Sequence, residues 1–151
     1  MSNGTFEFKI DNVWYFIYAN RDNKPSCWFP YIQDKEEVKT KLFEALDFHL
    51  GITKEIDLKK AFELYSELMK EGNSYAIDNL GWMYKNGEYV EKDIKKAFEL
   101  YSKSASMGNS NAMSNLGCMY ENGQYVQEDL KKAFELYSQS ASMGNSVAIN
   151  N

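Results

Sequence analysis

The sequence predicts a mainly α fold, a right-handed α-solenoid of helix-turn-helix repeats with a period of 36 residues, preceded by a short N-terminal β-hairpin extension. Three observations carry that prediction. Residues 74–109 lie over residues 110–145 without a gap and agree at 26 of 36 positions. Within each copy, apolar residues recur at helical spacing between capping and turn residues. Ahead of the copies, residues 5–31 follow no repeat and carry alternating and β-branched or aromatic runs that suit strands. A chain of 151 residues suits one unit with a core of its own, and 44% hydrophobic residues place it outside the composition of disordered segments.

Residues 1–33 form the N-terminal segment. Phe6, Phe8 and Ile10 alternate with polar residues, Asp11-Asn12 reads as a tight turn, and Val13 to Tyr18 is β-branched and aromatic, which together predict the hairpin. Ser26 to Phe29 offers a third short strand, which Pro25 and Pro30 confine to an edge or exclude. Two uses of the segment stand side by side. It caps the open apolar face of the first repeat, as terminal units of a solenoid do, or it presents Trp14, Tyr15, Trp28 and Tyr31 as recognition aromatics. Asp34, followed three residues later by Glu37, marks the first helix start and sets the boundary near residue 33.

Residues 34–151 carry the repeats: 38–73, 74–109, 110–145, and the opening of a fourth at 146–151. The first copy is degenerate in its first half, with Glu44 and Asp47 where later copies have leucine and methionine. Its second half, Asp57 to Ser66, matches Asp93 to Ser102 and Asp129 to Ser138 almost residue for residue. In each copy the second helix is the more plainly marked. Asp93 precedes the stripe Ile94, Ala97, Phe98, Tyr101, Ala105, and Gly108-Asn109 end it. The first helix of the second copy is expected from about Ala76 to Lys85, turning over at Asn86-Gly87. Gly81 and Gly117 fall in mid-helix, where glycine costs about 1 kcal/mol against alanine, so a close helix–helix approach is expected there.

The series Ala76-x-x-x-Leu80-Gly81-x-Met83-Tyr84-x-x-Gly87, then Val90, Asp93, Lys96-Ala97 and Tyr101, resembles the Sel1-like repeat over roughly residues 38–151. The period of 36 also separates it from the tetratricopeptide and ankyrin repeats, which are shorter. The resemblance implies a tetratricopeptide-related solenoid that acts as an adaptor binding proteins. It also implies, as the alternative, a weak hydrolase, because some Sel1-like proteins were originally described with hydrolase activity.

Composition narrows the partners. A net charge of -5, with Arg21 the single arginine, builds no basic stripe to neutralise phosphates, so nucleic acid is not expected. No apolar run reaches the roughly 18 residues of a membrane span, and the N-terminus lacks a signal-peptide pattern. Cys27 and Cys118 stand far apart without CxxC companions, so neither a disulfide framework nor a metal site is signalled, and the cytoplasm is the expected location. No glycine-rich phosphate cradle occurs, so no cofactor is expected. His49, the only histidine, reads as a helix-surface residue, and carboxylate pairs such as Glu36-Glu37 lie at helix starts, where the dipole accounts for them.

The repeats supply an internal comparison instead. Between the second and third copies the first helix keeps Ala76/Ala112, Leu80/Leu116, Gly81/Gly117, Met83/Met119 and Tyr84/Tyr120. It changes Tyr75/Asn111, Asp78/Ser114, Trp82/Cys118 and Lys85/Glu121, positions spaced by three, four and three, hence on one helical face. Lys39, Leu42, Leu46 and His49 continue that face in the first copy. In related helical-pair solenoids the first helices line the concave groove, so the resemblance makes these twelve residues the expected partner-binding face. An equally plain reading is that the positions vary because nothing constrains them. An exposed Trp82 weighs against that reading, since it leaves a large apolar area in water. The expected function is therefore a non-enzymatic module binding a protein or peptide, with an acidic surface suited to a basic partner. A toxin-neutralising immunity protein fits that size and charge, and a homo-oligomer through the open C-terminal face is the structural alternative.

Overall fold

The computed structural model describes residues 5–10, 13–19, 25–30 and 36–143, the backbone alone as far as residue 39. Three strands come first: β1 (Thr5–Ile10), β2 (Val13–Ala19) and β3 (Pro25–Pro30). They pair antiparallel in the order β1-β2-β3, with Ile10 opposite Val13 and a register shift at Tyr18/Ala19. The expected roles of Trp14, Tyr15, Trp28 and Tyr31, the cap at Asp34 and the opening of a fourth copy at 146–151 lie outside the described residues.

Six helices come next, as three antiparallel pairs: α1 (Glu36–Leu50) with α2 (Leu58–Lys70), α3 (Ser74–Asn86) with α4 (Ile94–Ser106), and α5 (Ser110–Glu121) with α6 (Leu130–Ser142). Each second helix begins where an aspartate can accept a free backbone N–H: Asp57 from Lys60, Asp93 from Lys96, Asp129 from Lys132. Asparagines do the same for α3 and α5, Asn73 accepting from Ala76, and Asn109 from Asn111 and Ala112. The Asn73 cap explains why α3 begins at Ser74, two residues before the sequence expectation. At its other end Gly87 takes the left-handed conformation, φ 72°, and returns its N–H to Met83.

The degenerate first half of the first copy folds as the others do. Asp57 N–H donates to Phe48 O at 2.9 Å, as Asp93 does to Tyr84 O and Asp129 to Tyr120 O, both also at 2.9 Å. The pair geometry is therefore held by the inter-helix loop as well as by side-chain identity.

Within the second pair, α3 and α4 approach closely because Gly81 has no side chain. A Cβ there would stand 2.8 Å from Tyr101 Cε1, and at Gly117 it would stand 2.8 Å from Tyr137 Cε1. The glycine's helical cost is thus offset by a fully buried Tyr101 ring packed against the backbone. Between pairs, the phenylalanines of α2 and α4 are each held by two tyrosines of the following pair. Phe62 meets Tyr84 at 6.1 Å and Tyr89 at 5.4 Å between ring centroids; Phe98 meets Tyr120 at 5.8 Å and Tyr125 at 5.4 Å. Tyr89 and Tyr125 reach those rings from left-handed backbone, φ 63° and 67°, a conformation costing about 1 kcal/mol for a residue with a side chain. The aromatic contact, itself about 1 kcal/mol beyond area burial, is what holds them there.

Candidate functional site

The predicted face runs along α1, α3 and α5, and the structure divides it into surface and interior. Trp82 is 44% exposed, Glu121 is exposed, and Leu42, Tyr75, Lys85, Asn111 and Cys118 are half-buried. The side chain of Lys39 lies outside the described residues. Four positions differ from the expectation of a surface stripe: Leu46, His49, Asp78 and Ser114 are buried. Their burial has a common cause. They sit on the flank of each first helix that turns toward a neighbouring helix, so the changes of side chain reflect different local contacts rather than free solvent exposure.

Those contacts are specific. His49, expected at the helix surface, has both ring nitrogens occupied: Nδ1 by the Tyr65 hydroxyl at 3.2 Å and Nε2 by Glu88 Oε2 at 2.7 Å. Because a carboxylate can only accept, Nε2 carries the proton donated to Glu88, and Nδ1 shares the second hydrogen bond with the Tyr65 hydroxyl. Trp82 adds a smaller stabilising effect on the Glu88 carboxylate, so this loop residue couples the first repeat to the exposed tryptophan of the second. The His49 hydrogen bond, ahead of the smaller effect of Trp82, holds the Glu88 carboxyl below its usual range against the opposing effect of burial.

One repeat further on, Asn115 Nδ2 donates to Asp78 Oδ1 at 3.0 Å. Burial pushes the Asp78 carboxyl up to about 7, with the Asn115 bond opposing the rise. Asp78 in turn adds to the effect of burial on Tyr75, whose phenol is pushed up to about 12. Ser114, at the position of Asp78, shares a hydrogen bond of 2.7 Å with Ser140, which itself donates to Ser110 O.

A third regularity concerns the tyrosine sixteen residues after the last position of the face. Tyr65 bonds His49, and Tyr137 donates to Glu121 at 2.7 Å. Lys85 stands at that register for Tyr101, and the buried Tyr101 hydroxyl has no hydrogen-bond partner among the described residues. Sequence reasoning missed Glu88, Asn115 and this tyrosine register, because each joins residues of different elements. The recurrence of tyrosine at 65, 101 and 137 was the available signal.

The face thus offers one large exposed aromatic, a flanking half-buried Tyr75, and the carboxylates Glu88 and Glu121. Among the described residues no group of three His, Cys, Asp or Glu side chains could hold a metal ion, and no helix is long and apolar enough to cross a membrane.

Comparison with known proteins agrees with this architecture. The family model of the Sel1 repeat matches residues 48–73, 74–109 and 110–145. A Sel1 repeat protein from Oxalobacter formigenes is 30% identical with a TM-score of 0.64, the match covering 76% of this chain and 86% of that one. A protective antigen present in uropathogenic Escherichia coli strains, with an SLR fold, is 29% identical with a TM-score of 0.66 over 74% of this chain, which spans only 24% of that protein. Cysteine rich protein B of Helicobacter pylori is 25% identical with a TM-score of 0.63, over 75% of this chain and 86% of that one. No curated protein matches the sequence.

Proposed function

Because this chain belongs to the Sel1 repeat family, whose repeats are protein–protein interaction modules, we propose that it is a non-enzymatic module holding a segment of another protein on the first-helix face of its repeats. The observation that carries the reading is Trp82. It is 44% exposed on that face, a large apolar surface without cover among the described residues. Tyr75, Lys85, Asn111, Cys118 and Glu121 flank it, and likeness to other helical-pair solenoids supports reading this as the concave side. A net charge of -5 and the carboxylates of that face favour a basic partner. Neutralisation of a basic toxin by occlusion, in the cytoplasm, is the form of this function that the chain's size and charge suit.

Affinity capture from the source cell with wild type and a Trp82→Ala, Tyr75→Ala variant of unchanged helicity tests the proposal. A protein held by wild type and lost by the variant, and then bound by the purified wild type in a salt-sensitive manner, supports it. Equal capture by both moves the contact to residues 5–30, and turnover of ester, lactam or peptide substrates by purified chain would replace a binding module with an enzyme.

A further inference from the structure

The seam where α3 and α5 meet over α4 belongs to the second and third repeats, and its floor is polar. Asp78 on α3 and Ser114 on α5 stand at the same register, both buried. Asp78 Oδ1 accepts from Asn115 Nδ2 at 3.0 Å, while Oδ2 takes no hydrogen bond among the described residues. The Tyr101 ring reaches this seam from α4 by passing Gly81, its Cζ 3.3 Å from where a Cβ of residue 81 would stand. The hydroxyl beyond it is buried and has no hydrogen-bond partner among the described residues. Burial first, then the nearness of Asp78, Cys118 and Glu88, pushes that phenol above its ordinary range. Two helices and the α3–α4 turn therefore bring acidic groups toward one unsatisfied hydroxyl.

The equivalent tyrosines are satisfied from within the chain, Tyr65 by His49 and Tyr137 by Glu121. A buried hydroxyl left unpaired is unfavourable, so the seam gains from a polar group brought to it. Charge decides which kind. The carboxyls of Asp78, Glu88 and Glu121 stand against the one ammonium of Lys85 on this part of the described face, which favours a cationic donor over an anion. Trp82 lies one helical turn beyond Asp78 on the same side of α3, 44% exposed, and an aromatic face attracts a cation. A lysine or arginine side chain has the charge, the N–H donors and the apolar stem to lie along that indole and reach the floor.

We propose that this seam anchors the bound segment by taking one of its cationic side chains, whose N–H groups donate to Asp78 Oδ2 and the Tyr101 hydroxyl while its stem lies on Trp82. The proposal rests on the binding-module reading above and adds the class of residue that the groove selects. It differs from a general attraction to basic proteins because the charge is read at one buried point. It also ties binding to pH, since the Asp78 carboxyl titrates near 7 and attracts a cation only when ionised. The other ionisable groups of the seam are Tyr75 and Lys85 on α3, Glu88 in the turn, Tyr101 on α4 and Cys118 on α5. Both phenols are raised and stay neutral near pH 7, and the Glu88 carboxyl, held low, stays ionised.

N-acetyl-arginine amide, titrated into the full chain and followed by NMR at the Trp82 indole and the Asn115 side-chain amide, tests this. N-acetyl-citrulline amide, of similar shape without the charge, is the control. The expected result is saturable binding of the arginine compound, about tenfold or more tighter than the control, and up to about tenfold tighter at pH 8 than at pH 6. Asp78→Asn keeps the fold and loses both the pH dependence and most of the affinity. Tyr101→Phe weakens binding by about threefold or more, and Glu135→Gln on α6 leaves it unchanged. Shifts that do not saturate, equal binding of the citrulline compound, or an Asp78→Asn variant that binds as wild type does overturn the inference. The binding-module reading survives any of these so long as the Trp82→Ala, Tyr75→Ala variant loses the captured protein. Arginine bound at the seam of a chain whose capture ignores that variant removes the binding-module reading and leaves the cation site.

Discussion

Phe98 and Phe134 occupy the same position in two repeats that agree at 26 of 36 residues, and their surroundings differ almost completely. Phe98 lies between Tyr120 and Tyr125; Phe134 is 72% exposed. The difference lies in the neighbour and not in the repeat: α5 and its loop cover the first ring, and no described helix stands beyond α6 to cover the second. In a solenoid each unit supplies half of an interface, so the same helix is interior in one place and surface in another. The tyrosine register repeats the lesson from the polar side: Tyr65 and Tyr137 have partners, while Tyr101 meets a lysine position and has none among the described residues.

Substitutions sharpen that contrast. The largest effect is expected at Gly81→Val, where the new side chain enters a fully buried Tyr101 ring. Denaturant unfolding should show a loss of about 3 kcal/mol or more, against about half of that at Gly117→Val, whose Tyr137 is half-buried and has room to move. Equal losses would mean that the end repeat is as closed as the inner one.

Asp78→Asn should act in the opposite direction, and only at high pH. The folded carboxyl titrates near 7, raised by burial from an ordinary 3.8, so the folded state holds the proton more tightly than the unfolded chain. Wild-type stability from this group is complete below about pH 4 and lost as pH rises through 7. The asparagine variant should therefore be more stable by about 2 kcal/mol at pH 8, with the advantage gone near pH 4. Thermal melts across that range would read it directly, and an advantage independent of pH would contradict the buried charge.

The tyrosine register gives a smaller and differential effect. Tyr65→Phe removes a hydroxyl that bonds His49 and should cost about 1 kcal/mol, whereas Tyr101→Phe removes a buried hydroxyl without a partner among the described residues and should be neutral or stabilising by about 0.5 kcal/mol. Glu88→Gln should lower stability by at most about 1 kcal/mol at neutral pH. Because His49 depresses the Glu88 carboxyl, that contribution is present above the ordinary carboxylate range and fades as pH falls through the lowered folded value.

Much of the solenoid was legible in the sequence because its signals are local and repeated. The aspartate caps at 57, 93 and 129, the Asn86-Gly87 turn and the mid-helix glycines each predict a feature that the structure contains, although the Tyr101 ring that makes the close approach at Gly81 was not singled out. The candidate face was legible as a pattern but not as a surface. Spacing placed Asp78 and Trp82 on one helical side, yet 78 turns into the repeat boundary and 82 out of it, a difference set by α5 rather than by α3. His49 shows the same limit: its partners lie 16 and 39 residues away, where helical periodicity carries no information.

Burial in each repeat is conferred by its neighbour. Phe98→Ala and Phe134→Ala, unfolded side by side by urea in dilute solution, test that most directly. The expected result is a loss of about 2–3 kcal/mol for Phe98→Ala and a change within about 0.5 kcal/mol for Phe134→Ala. Equal losses at the two positions would contradict it.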